Sequence, residues 1–304
     1  MLENKLKNYL LLHLIVFIWG FTAILGALIT LEAIPLVFFR MGLAVLFIFL
    51  FFIYKKKSFL LDKEGIVKFL ITGIIIATHW IFFFKAIKVS NVSVALVTMS
   101  TGAFFTSLIE PIFFRRRIKL LEIILGLLVI VGLYIIFNFE SQYQLGIIYA
   151  LISSFLGSLF AVFNGLFVKK YDANSISLYQ LFFGTVFVAF YLLFSNGFST
   201  TFFIIPTMDW VYLAILSSVC TAYAFIASVK VMKYLSPYTV MLTINLEPIY
   251  AIILALFIFG EKEKMNPEFY FGALIVFGVV LVNGIIKNKA TIKQKFQDRK
   301  KLKK

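Results

Sequence analysis

Ten predominantly apolar stretches of about 18 or more residues follow one another along the 304-residue chain. Each has the length an α-helix needs to cross the hydrocarbon core of a bilayer. Inside hydrocarbon every backbone N–H and C=O must find a partner within the protein, so segments of this kind cross as helices. The spans are read as Tyr9–Ile29, Pro35–Tyr54, Ile66–Ala86, Val92–Phe114, Leu120–Phe137, Leu145–Val168, Ile176–Phe194, Trp210–Val229, Pro237–Gly260 and Pro267–Ile286. The first outruns the roughly 7–15-residue core of a secretory signal and no small-residue cleavage site follows it, so it is read as a retained helix. Composition agrees: 62% of residues are hydrophobic and 14% charged, against about 45–50% and about 25% in soluble chains. The 38 Phe and 14 Tyr exceed what a soluble interior of this size encloses. The expected fold class is an all-α integral membrane protein of ten transmembrane helices.

Charge gives the orientation. With ten spans both termini lie on one side. The connections on that side, with the termini, hold 24 Lys and Arg, whereas the opposite connections hold 4 and Arg40 lies within a span. By the positive-inside rule both termini face the cytoplasm. The net charge of +15 is therefore mostly topology and does not call for nucleic acid as a partner. The basic tail, residues 287–304, is read as a solvated orienting segment that can also touch anionic lipid. A lone cysteine, Cys220, excludes a disulfide framework within the chain and a cysteine-built metal site.

The ninth span stands apart. It carries Asn245, Glu247 and Pro248 near its middle. A carboxylate at the bilayer centre costs about 2.5–3.5 kcal/mol on insertion scales, so such groups turn inward and serve a function by default. Pro248 lacks an N–H and kinks the helix there. A broken helix beside a midplane carboxylate is the arrangement of a transporter binding site.

The chain also repeats. At a shift of 146 residues, Ser90–Gly132 lies over Ser236–Gly278 with ten identities, among them Glu122/Glu268, Gly126/Gly272 and Gly132/Gly278. Arg40 and Gln180 correspond at a slightly smaller shift. A repeat of five spans enters the membrane in opposite senses, an inverted repeat whose site lies between the halves and whose alternating access comes from rocking one half on the other. Thr101-Gly102 stand where Glu247-Pro248 stand in the second half, so the repeat is asymmetric at the site.

Helix nine reads SPYTVMLTINLEPIY, followed by GEKEK and a helix containing GALIVFG, and the first half supplies AIKVSNVSVAL before its fourth helix. These segments resemble the EamA repeats of the drug/metabolite transporter superfamily, and the resemblance covers about residues 9–287. It implies a first repeat at 9–137, a second at 145–286 and a basic cytoplasmic tail at 287–304. It also implies a bacterial-type inner-membrane carrier, often an exporter of amino acids or other small metabolites.

Candidate site residues follow. Glu247 is a carrier for a coupling proton or cation, or the counter-charge of an amine; alternatively backbone amides freed at the kink satisfy it. His79, mid-span and followed by Trp80, can change charge near neutral pH and pair with Glu247, or it can bond a neighbouring carbonyl or hydroxyl. Arg40 either snorkels to the outer interface, the favoured reading, or faces the cavity and binds a substrate carboxylate with its fork of donors. Thr101, Asn164, Gln180, Thr221, Tyr223 and Asn245 are further polar lining, although singly such residues usually hold helices together. Trp19 and Trp80 lie too deep for an interfacial belt, so a cavity place is open to them. Glu110 is expected to pair with the Arg115–Arg117 cluster, and His13 to be structural. No catalytic residue, cofactor or metal site is assigned, since HExxH, Walker, CxxC and GxSxG patterns are all missing from the sequence. The expected function is secondary active transport of a small-molecule substrate by alternating access, with proton coupling through Glu247. The rivals are a membrane-embedded lipid-modifying enzyme and a non-transporting scaffold.

Overall fold

A computed structural model describes residues 2–56, 60–115, 117, 120–279, 281–282 and 285–286. The basic tail and Arg116 lie outside the described residues. Among the described residues the regular elements are all helices. Helix α1 covers Leu2–Leu28, α2 Ala33–Tyr54 and α3 Lys63–Val89. The fourth span is split into α4, Val92–Met99, and α5, Gly102–Phe113, and is followed by α6, Leu120–Phe139. The second half runs through α7, Gln144–Phe167, and α8, Ala173–Phe194. Then come α9, Thr207–Ser217, a π-helical turn at Ser218–Tyr223, and α10, Ala224–Val231. The ninth span is split into α11, Pro237–Ile244, and α12, Glu247–Phe259, and α13 covers Pro267–Val279.

Eight helical segments are long and apolar enough to cross a membrane, and α6 and α13 are present as shorter apolar helices among the described residues. Four of the helices start where the sequence offers a side-chain acceptor. Asp62, Asn91, Asp172 and Ser236 accept from the backbone N–H of Gly65, Val94, Asn174 and Thr239, satisfying amides that the first turn leaves free. Helix α12 ends at Gly260, whose φ of 57° is a conformation that only glycine adopts without strain.

Both broken spans break at nearly equivalent positions. Ser100-Thr101 interrupts the first half and Asn245-Leu246 the second, one residue out of register at the 146-residue shift. Only the second break has a proline beside it. In the first, hydroxyls from α7 take the place of the missing helix bonds. Ser154 Oγ donates to the Met99 carbonyl at 3.0 Å and Ser158 Oγ to the Gly102 carbonyl at 2.8 Å. Thr101 Oγ1, fully buried, donates to the Thr98 carbonyl and meets Ser154 Oγ at 2.9 Å. The signal for these serines is present in SSFLGSLF (residues 153–160), where small residues recur at i, i+4 on one helix face.

The halves interlock. Helix α3 packs on α7 and α8, α2 on α8 and α9, α12 on α1 and α4, and α11 on α5. The main apolar core joins residues of both halves, from Phe39, Phe69 and Phe84 to Phe167, Leu181 and Phe225. Outward, large apolar side chains are bare: Phe257 is 85% and Phe194 81% exposed. On a soluble protein such a surface would be an aggregation patch; here it is the face turned to acyl chains.

Candidate functional site

The middle of the bundle holds a cavity of about 120 Å³. Its wall is mainly apolar and aromatic, with Trp19, Trp80, Phe83, Phe160 and Phe225, and its polar groups are Thr22, Arg40, His79, Ser228 and Glu247. First-half helices α1, α2 and α3 supply Thr22, Arg40 and His79, and the second half supplies Glu247, so both halves line the cavity.

Arg40 is 2% exposed. This corrects the expectation that it snorkels: its guanidinium carbon lies 3.9 Å from the centroid of the Trp80 ring, and its Nε donates to Thr221 Oγ1 at 2.7 Å. A buried guanidinium stacked on indole keeps a cation–π attraction that solvent would weaken. The bond to Thr221 exists because the π-turn admits that residue at the level of Arg40. Thr221 in turn donates to the Leu216 carbonyl at 2.7 Å, and the Trp19 indole N–H donates to the Cys220 carbonyl at 3.0 Å. Arg40 Nη1 has no partner among the described residues.

Glu247 stands at the first position of α12, where the free amides of a helix start favour an anion. Its carboxylate has no hydrogen bond to a described residue, so backbone amides at the kink do not satisfy it. It faces the cavity, and its charge and that of Arg40 attract across it.

His79 does not bond Glu247. Its Nδ1 lies 2.8 Å from the Ser153 carbonyl, and Ser153 Oγ donates to the His79 carbonyl at 2.8 Å. A carbonyl only accepts, so Nδ1 carries the proton and the neutral ring leaves Nε2 as an acceptor. Gly157, on the next turn of α7, makes this approach possible: a Cβ there would sit 2.9 Å from His79 Cε1.

The other sequence candidates lie elsewhere. Asn164 and Gln180 are fully buried but form a separate cluster. Gln180 Nε2 donates to Thr72 Oγ1 at 2.9 Å and to Asn164 Oδ1 at 2.8 Å, holding α3, α7 and α8 together. Asn245 is buried at the break between α11 and α12, its Nδ2 without a partner among the described residues. Tyr223 is 48% exposed on the outer surface of the bundle, away from the cavity. Thr101 lines the break in the fourth span. The residues that sequence reasoning missed are mostly apolar: Phe83, Met99, Phe160, Phe225, Met232 and Met241, which nothing distinguishes in a sequence so rich in their kind.

The sequence profile of the EamA-like transporter family matches residues 6–138 and again 144–284. The chain belongs to the EamA-like transporter family. It is a multi-pass membrane protein and a membrane transporter. A relative described as an uncharacterized transporter, from Archaeoglobus fulgidus, is 24% identical over 279 residues, spanning 87% of this chain and 92% of its own. A crystal structure with 13% sequence identity superposes with a TM-score of 0.65 over 93% of this chain and 98% of the other. At that identity the likeness concerns the fold alone.

Proposed function

We propose that this EamA-like protein is a ten-span secondary transporter of small organic metabolites, built as two inverted five-span halves (9–137 and 145–286) that alternate access to the cavity between them. The observation that carries the reading is the cavity itself, in which a cation from one half and an unbonded carboxylate from the other face the same small space. Arg40 and Glu247 would hold the charged ends of a cargo, with Trp80 and the surrounding rings against its apolar part and His79 Nε2 accepting from one of its donors. Glu247 is also the proposed carrier of a coupling proton. Asn245 and Thr101, at the two helix breaks, are proposed to adjust the walls as the halves rock; Asn164, Gln180 and Tyr223 are proposed to act on the cavity only through packing. The charge split supports cytoplasmic termini; a bacterial-type inner membrane and export as the working direction are part of the proposal.

The test is transport by reconstituted protein, with a panel of amino acids, nucleosides, sugars and amines first screened by ligand stabilisation, which grows as RT ln(1 + [L]/Kd). Glu247→Gln is expected to abolish accumulation driven by a proton gradient while leaving counterflow intact. Proton dependence that survives in this variant refutes the coupling role, and failure to move any member of the panel counts against the transporter reading at this level of detail.

A further inference from the structure

Outside the cavity, acidic side chains tie the two halves together at both ends of the bundle, and they do so reciprocally. At the end of α5, Glu110 Oε2 accepts from the backbone N–H of Tyr238 at 2.9 Å, in the first turn of α11. Just beyond α12, Glu263 Oε1 accepts from the N–H of Val92 at 3.0 Å. Its Oε2 accepts from the N–H and the hydroxyl of Ser93 at 2.9 and 2.8 Å, in the first turn of α4. Val92 and Tyr238 are equivalent positions at the 146-residue shift. Each broken span therefore has its start held by a carboxylate from the far end of the other broken span. A second pair repeats the pattern with neighbouring elements. Asp62, at the start of α3, meets the Tyr171 hydroxyl and the Lys170 ammonium just before α8, at 2.9 and 3.0 Å. Asp209, at the start of α9, accepts from the N–H and hydroxyl of Thr30 just before α2, at 2.9 and 2.6 Å.

Following the helices from end to end puts Glu110 and Asp62 at one end of the bundle and Glu263 and Asp209 at the other. A helix start offers several aligned N–H groups and the positive end of its dipole, so a carboxylate there makes charge-assisted bonds. These bonds join parts of the two halves that must separate if either end opens, and they are short-ranged: an ångström or two of displacement removes them. We propose that Glu110 and Glu263 are reciprocal latches, each closing one end of the cavity by holding the N-terminus of the other half's broken span, so that release of one opens that end while the other keeps the opposite end closed. This rests on the alternating-access reading above but concerns different residues, since neither carboxylate lines the cavity.

The experiment reads accessibility and needs no cargo. A reporter cysteine at the cavity-lining position Ala161, in a Cys220→Ser background, is labelled in right-side-out and inside-out vesicles with a charged maleimide that does not cross the bilayer. Glu110→Ala is expected to raise the labelling rate about tenfold or more from the end that carries the α2–α3 connection, the population shift that follows from losing a charge-assisted bond. Labelling from the opposite end stays unchanged. Glu263→Ala is expected to do the reverse. Because Glu263 is 4% exposed and its removal can prevent folding, Glu263→Gln and Ser93→Ala are measured beside it. Each retains part of the bond set, and each must give a smaller rise from the same end. Unchanged labelling in the folded variants, or a rise of equal size from both ends, overturns the proposal. One-sided labelling in a protein that moves no member of the metabolite panel keeps the latches and removes the transport reading instead.

Discussion

Thr221→Val is the substitution that tests the placement of Arg40 most directly. Valine matches threonine in shape and removes only the hydroxyl. That hydroxyl does two things: it accepts from Arg40 Nε at 2.7 Å and donates to the Leu216 carbonyl at 2.7 Å. A neutral bond inside a helical membrane protein averages about 0.6 kcal/mol. The bond to a buried guanidinium is worth about 1.5–3 kcal/mol, because Nε loses its partner where water does not replace it. The expected loss is therefore about 2–3.5 kcal/mol, measured by reversible unfolding in mixed detergent–denaturant micelles. The decisive comparison is a double-mutant cycle with Arg40→Met. In that background Thr221→Val should cost only the Leu216 share, about 0.6 kcal/mol, leaving a coupling of about 1.5–3 kcal/mol for residues in direct contact. A coupling below about 0.5 kcal/mol, the additivity expected of independent sites, would refute the bond between α2 and the π-turn.

Two further outcomes follow from other contacts. Gly73→Ala would put a Cβ 2.6 Å from the Gln180 carbonyl at the crossing of α3 and α8; as backbone cannot step aside cheaply, it is expected to destabilise by about 1–3 kcal/mol in the same assay, with Gly184→Ala similar in sign. The Lys170 ammonium and the Gly65 N–H hold the Asp62 carboxyl below its ordinary 3.8. A group depressed in the folded state stabilises above its unfolded value and loses that contribution as pH falls through the folded one. Amide exchange at the start of α3 should therefore accelerate as pH drops below about 4 in the parent, after correction for intrinsic rates, and should show no such step in Asp62→Asn.

The membrane class, eight of the spans and the odd ninth helix were legible because each has a one-dimensional signal: run length for the spans, and a carboxylate next to a proline in apolar surroundings for the ninth. The break in the fourth span was not, since Ser100-Thr101 carries no breaker and its stability comes from Ser154 and Ser158 on another helix. Arg40 was misjudged for a related reason. Its depth along α2 is readable, but the direction it faces depends on Trp80 and on a π-turn that no residue pattern announces. His79 showed that position does not give partner: its depth allowed a meeting with Glu247, and α7 instead presents the Ser153 carbonyl. Asn164 and Gln180 were found as polar residues and misassigned in place, because polarity in a span marks a need for bonding and does not say whether cavity or neighbour meets it. The cross-half bonds of Glu110 and Glu263 were invisible in sequence. The arginine cluster beside Glu110 suggested a local pair, although Arg116 lies outside the described residues and Glu110 reaches the second half in any case.

The π-turn at Ser218–Tyr223 has a consequence for how the cavity could diversify. It accommodates one residue more than a regular helix would, and each residue of an α-helix turns the chain by about 100°. Everything downstream in α10 is therefore phased by that extra residue: Phe225, Ser228 and Met232 reach the cavity on a face that a straight continuation of α9 would point elsewhere. Deleting a single residue from the turn would not shorten the helix appreciably. It would rotate it, exchanging one strip of side chains for another both at the cavity and against α1 and α8, while α9 upstream keeps its phase. A one-codon change thus has access to a new cavity lining without a single substitution in it.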